Sequence, residues 1–77
     1  MNYKEERLQN NQQIVKVVNL VGDKEFFVGF YKPDEPIVIT SRKKLVSYLI
    51  LQKKYHLLQV LMGQEGKFYF VLVKNEQ

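Results

Sequence analysis

Thr40-Ser41-Arg42-Lys43-Lys44-Leu45-Val46-Ser47-Tyr48-Leu49-Ile50-Leu51-Gln52-Lys53-Lys54-Tyr55-His56 is the segment around which the rest of the chain is organised. It predicts a helix over 41–54. Thr40 and Ser41 can each act as an N-cap, because a hydroxyl accepts the free amide protons of a first turn. No Gly or Pro falls between Ser41 and Tyr55. Leu45, Val46, Leu49 and Ile50 recur as one helical stripe, and Tyr48, Leu51 and Tyr55 form a second apolar set. A competing strand over Lys44 to Leu51 would place Leu45, Leu49 and Leu51 on one face. The helix is preferred because the pattern outruns a usual strand and has a start signal.

The charge on this stretch is unusual. Ser41 to Lys54 holds five cations and no carboxylate. Arg42, Lys43 and Lys44 would sit in the first turn, where the macrodipole favours anions; an exposed cation there costs roughly 0.3–1 kcal/mol. Lys53 and Lys54 would sit favourably at the other end. Free amides, dipole and three cations together suit a phosphate. The ordinary reading, solvated lysine-rich helix ends, is preferred to it.

The flanks read as strand. Upstream, Ile14 to Val21 is rich in Val, Gly22-Asp23-Lys24 is a turn, and Glu25 to Tyr31 is a second strand, together a hairpin. Lys32-Pro33-Asp34-Glu35-Pro36 is a loop, and Ile37 to Ile39 a short third strand. Downstream, Leu57 to Met62 and Lys67 to Lys74 are strands joined by a turn at Gly63-Gln64-Glu65-Gly66. Met1 to Gln13 has no core-facing periodicity and reads as a polar, mobile arm. The expected organisation is an arm over 1–13 and a single domain over 14–77. The expected fold class is α+β: a four- to five-stranded, mostly antiparallel sheet with one helix on one face. The order hairpin, helix, hairpin fits a β-grasp arrangement and an all-antiparallel sheet equally.

The 77 residues carry no cysteine, which excludes a disulfide-stapled secreted miniprotein. The start is polar, so no signal peptide is expected, and no apolar run nears the ~20 residues of a membrane span. The expectation is a cytoplasmic protein without a membrane partner. The formal net charge is +4. Lys4 and Arg7 cancel Glu5 and Glu6, so the excess belongs to the region after the arm. The small size and many Lys, Asn and Gln suit a bacterial or phage-like accessory protein.

The strands are apolar on both sides, as in sheets covered on both faces. One helix of ~14 residues, about 21 Å long and 10 Å wide, covers only half of one face of such a sheet. A homodimer, or a core completed on a larger protein, is therefore expected. Phe27, Tyr31, Tyr48, Leu51, Tyr69, Val71 and Val73 are the candidate interface residues. Tyr31, Tyr69 and Phe27, near Lys32, Lys67 and Lys74, could also stack bases.

No constellation suggests catalysis. His56 is the sole histidine and lacks a partner at known spacing. Asp34-Glu35 reads as a solvated turn. Ser41 and Ser47 have no triad context. No enzyme activity, cofactor, metal or small-molecule substrate is expected. Two functions remain. One is a protein-interaction or assembly module acting as an accessory or regulator. The alternative is a nucleic-acid binder using Arg42, Lys43, Lys44, Lys53 and Lys54 on phosphates.

Overall fold

The computed structural model of the chain describes residues 2–8 and 11–76, and the side chains of all of these except Asn11 and Gln12. The elements are β1 (Asn2–Leu8), β2 (Asn11–Val21), β3 (Lys24–Tyr31), β4 (Ile37–Thr40), α1 (Lys43–Leu51), β5 (Tyr55–Met62) and β6 (Phe68–Lys74), with a 3-10 turn at Gln64–Gly66 before β6. The chain divides into two compact units, Met1–Asp34 and Glu35–Gln77. The fold is α+β with antiparallel strands and one α-helix, as expected. The expected single sheet of four to five strands is not found. There are two three-stranded sheets, ordered β1-β2-β3 and β4-β6-β5. Local pattern shows which segments are strands but not which strands pair, and the Pro-bounded segment before β4 separates the two ladders.

The first unit is a meander with β2 in the centre. Gly22 supplies the positive φ, 62°, that the tight β2–β3 connection requires. Residues 2–8, expected within a mobile arm, are instead strand β1, paired from Asn2↔Leu20 to Arg7↔Val15. As an edge strand with its side chains exposed or half-exposed, β1 needs no apolar alternation, so its polar sequence concealed it. Residues 1, 9 and 10 of the expected arm lie outside the described residues. On β3 the register passes from Val17↔Gly29 to Val18↔Phe27, leaving Val28 as the extra residue of a bulge. Strict alternation would put Phe27 with Tyr31. The bulge reverses this. Phe27 and Phe30 share a face, their ring centroids 5.0 Å apart. Tyr31 lies on the other face opposite Val15, buried, and its hydroxyl donates to Glu5 Oε2 at 2.8 Å.

In the second unit, β4 and β5 both run antiparallel to β6 and flank it. They are therefore parallel to each other, joined through α1 as a split β-α-β unit. All described ladders are antiparallel, so the β-grasp alternative is not met. α1 lies against β4 and β5. Leu45, Val46, Tyr48 and Leu49 are its buried residues. Val38, Tyr55 and Leu72, buried with them, share one face of the sheet by register.

The helix is shorter than the expected 41–54. Arg42, in extended geometry, is the N-cap, and its carbonyl accepts from the Val46 amide at 3.1 Å. The Thr40 hydroxyl accepts from the Arg42 amide at 3.1 Å, one residue before the helix, so neither Thr40 nor Ser41 caps it. At the other end Lys53 adopts φ 57°. The Lys53 amide donates to the Ile50 carbonyl (3.0 Å) and the Lys54 amide to the Leu49 carbonyl (3.1 Å). This is a Schellman ending with lysine where glycine is usual. Tyr55 and His56 then begin β5.

Candidate functional site

β5 is the element that the sheet leaves most open. Among the described residues it has a ladder with β6 alone, so its outer edge presents unpaired N–H and C=O groups. Its sequence, Tyr-His-Leu-Leu-Gln-Val-Leu-Met, contains no Lys, Arg, Asp or Glu. Every residue after buried Tyr55 is exposed. The five large apolar ones, Leu57, Leu58, Val60, Leu61 and Met62, are 42 to 69 % exposed. A soluble domain usually guards such an edge with charge, proline, brevity, a bulge or a covering element, and of the first four β5 has only a bulge. β1 in the other unit shows the contrast, since its edge carries Lys4, Glu5, Glu6 and Arg7.

The β5–β6 ladder breaks register between Leu57↔Leu72 and Gln59↔Val71, which makes Leu58 the extra residue of a second bulge. Tyr55, Leu57, Val60 and Met62 consequently share the face of Leu72, and His56, Gln59 and Leu61 share the face of Val71. Exposed Phe68, opposite Met62, extends the first face; exposed Ile37 and Ile39 on β4 extend the second. The start of β5 is fixed by Asn75. Its Nδ2 donates to the Lys53 carbonyl at 2.9 Å and its Oδ1 lies 2.6 Å from His56 Nδ1. Its amide donates to the Lys54 carbonyl at 3.0 Å.

The residues singled out from sequence are spread more widely. Phe27 and Tyr31 belong to the first unit and point to opposite faces of its sheet. Tyr48 is a buried helix residue, and Lys54 Nζ sits 5.9 Å from the centre of its ring. Leu51 is exposed. Tyr69, Val71 and Val73 do share a face, but Val71 is buried and the other two are half-buried. Tyr69 is overlaid by Lys67 Nζ at 5.8 Å. The residues missed are those of β5 itself. The signal available was the uncharged apolar run Leu57 to Met62, which a period-2 reading across the bulge scrambles.

The five cations separate into two groups. Arg42, Lys43 and Lys44 are exposed at the start of α1, with no acidic residue in the first turn. Lys53 and Lys54 lie beyond its other end, roughly 15 Å away at 1.5 Å per residue. The unit over 35–77 carries seven Lys and Arg against three Glu, whereas 1–34 carries five against five, so all of the +4 belongs to the second unit. In the first unit Lys4 Nζ contacts Glu6 (2.9 Å) and Glu25 (3.7 Å). The Lys4 hydrogen bond and charge lower the Glu6 pKa, and Glu6 in turn raises that of Lys4.

Among the described residues, no group of three or more His, Asp or Glu could hold a metal ion. No described helix is long and apolar enough to cross a membrane. Comparison with protein-family models, with curated proteins and with solved structures yields no match, so the residues themselves carry the functional reading.

Proposed function

We propose that this chain is a non-enzymatic assembly module that acts as an accessory or regulatory protein by joining its second unit to another polypeptide. The observation that supports this is β5: an eight-residue edge strand, uncharged, with its apolar side chains open to solvent. Exposed contiguous apolar surface of this kind marks interaction sites in soluble domains. An open strand edge adds a row of backbone donors and acceptors that another strand can pair with along its length.

The test is size exclusion with light scattering at 1 to 100 times about 1 µM, in low and high salt, a range bracketing the affinity of a small interface. The reading expects a species heavier than one chain, insensitive to salt because apolar contact and backbone bonds hold it. A monomer throughout, combined with no partner retained from a lysate, removes the reading.

A second reading rests on Arg42, Lys43 and Lys44 around the first turn of α1. It assigns a nucleic-acid phosphate to these cations and the free amides of that turn. It expects a mixed oligonucleotide to bind with an affinity that falls steeply between low and physiological salt. Binding unchanged in Arg42→Ala, Lys43→Ala and Lys44→Ala variants removes it.

A further inference from the structure

We infer that the partner of β5 is β5 of a second copy, paired antiparallel about a two-fold axis normal to the sheet, so that two three-stranded sheets become one of six. This rests on the assembly reading above and specifies its geometry.

The bulge carries the argument. A two-fold axis normal to the sheet keeps each face of one copy continuous with the same face of the other. Residues opposite each other across the new ladder must then belong to the same face. In a regular eight-residue strand, complete antiparallel overlap with itself fails this test, because residue 1 would meet residue 8 and they lie on opposite faces. The extra residue Leu58 shifts the phase by one. Tyr55 then meets Met62 of the second copy, and Leu57 meets its Val60, all on the Leu72 face. His56 meets Leu61 on the Val71 face. Leu58 and Gln59 straddle the axis. The bulge thus makes the strand read the same in both directions, over its full length, in the pattern of faces it presents.

Charge agrees with this arrangement. Self-pairing brings residues beside the axis close to their own images, and β5 has no Lys, Arg, Asp or Glu to repel there or against the facing strand. The other long edges, β1 and β3, carry Lys and Glu within their strands.

Cysteine crosslinking in the full chain, which has no cysteine of its own, tests the register. Leu58→Cys lies beside the axis and should form a disulfide-linked dimer on mild oxidation. Met62→Cys should not, since its two copies lie about 23 Å apart at 3.3 Å per residue. Ile39→Cys, equally exposed but on β4, should also fail. Leu58→Lys should lower self-association at least tenfold, and circular dichroism should be unchanged because the side chain is solvent-facing. Gln59→Lys should do the same, so that a folding defect in one variant does not decide the matter. A dimer that persists in both lysine variants, or that crosslinks at Ile39→Cys or Met62→Cys and not at Leu58→Cys, overturns this geometry while leaving the assembly reading intact. A strictly monomeric native chain overturns the self-pairing outright; the assembly reading then depends on a different protein.

Discussion

Lys53 holds the end of α1 in a conformation that costs an L-residue free energy, and replacing it with glycine should stabilise the protein. Its φ of 57° belongs to the left-handed region. For a residue with a Cβ that region is about 1–2 kcal/mol less favourable than the right-handed one. Glycine removes this cost but brings a more flexible unfolded chain, worth roughly 0.5–1 kcal/mol in the opposite direction. At the middle of those two ranges the balance favours Lys53→Gly by about 0.75 kcal/mol. The bonds that define the turn use only backbone groups of Lys53: its amide to Ile50 and its carbonyl from Asn75 Nδ2. Both survive the substitution. For a domain of this size the gain corresponds to a rise in Tm of roughly 3–6 °C. Thermal and urea denaturation followed by circular dichroism at one fixed protein concentration would read it, since any self-association makes Tm concentration-dependent. Lys53→Ala is the control. It removes the same ammonium and keeps the Cβ, so it should leave stability nearly unchanged. Equal stabilisation by alanine and glycine would assign the effect to lost charge repulsion and refute the backbone argument. Destabilisation by glycine would refute the helix ending itself.

Gly63→Ala should destabilise by about 1–3 kcal/mol, because a Cβ there falls 2.7 Å from Tyr69 Cε2; the loss should shrink in a Tyr69→Val background. Tyr55→Phe should cost about 1 kcal/mol in urea denaturation, since the buried ring loses the 2.7 Å bond from its hydroxyl to the Glu35 carbonyl. Glu6 should titrate below the ordinary glutamate value in an NMR pH series, chiefly through its hydrogen bond with Lys4 and then through the Lys4 charge, and Lys4→Ala should bring it back. Because its folded pKa is the lower one, the stabilisation that Glu6 supplies is present at neutral pH and is lost on acidification through the depressed value.

What could be read from the sequence was whatever local chemistry decides. The two hairpin turns, at Gly22-Asp23 and Gly63 to Gly66, carry their glycines openly, and the stripe Leu45, Val46 and Leu49 marked α1. The overestimate of the helix came from Gln52 to Tyr55, which hold no breaker. The chain leaves the helix there because Lys53 accepts a left-handed φ and Tyr55 joins the β6 ladder, a tertiary cause. β1 was invisible because an edge strand can be polar on both faces. Val28 and Leu58 misled most. Each inserts one residue and exchanges the faces of all that follow, so Phe27 was grouped with Tyr31 rather than Phe30. The uncharged apolar run of β5 was present in the sequence, but its edge position depends on β6 lying between β4 and β5, which no local pattern specifies.

β4 spans only Ile37–Thr40. Its shortness governs how far assembly of the second unit can go. A long apolar strand at each edge of that sheet would let copies add without end, as in a growing fibre. With four residues on one side and eight on the other, only one edge offers a ladder long enough to hold a neighbour. Using that edge against its own image leaves two β4 strands outermost, each too brief to template a further copy. Under the self-pairing proposed above, the inequality of its two edges would limit the second unit to a finite, closed species rather than a growing array.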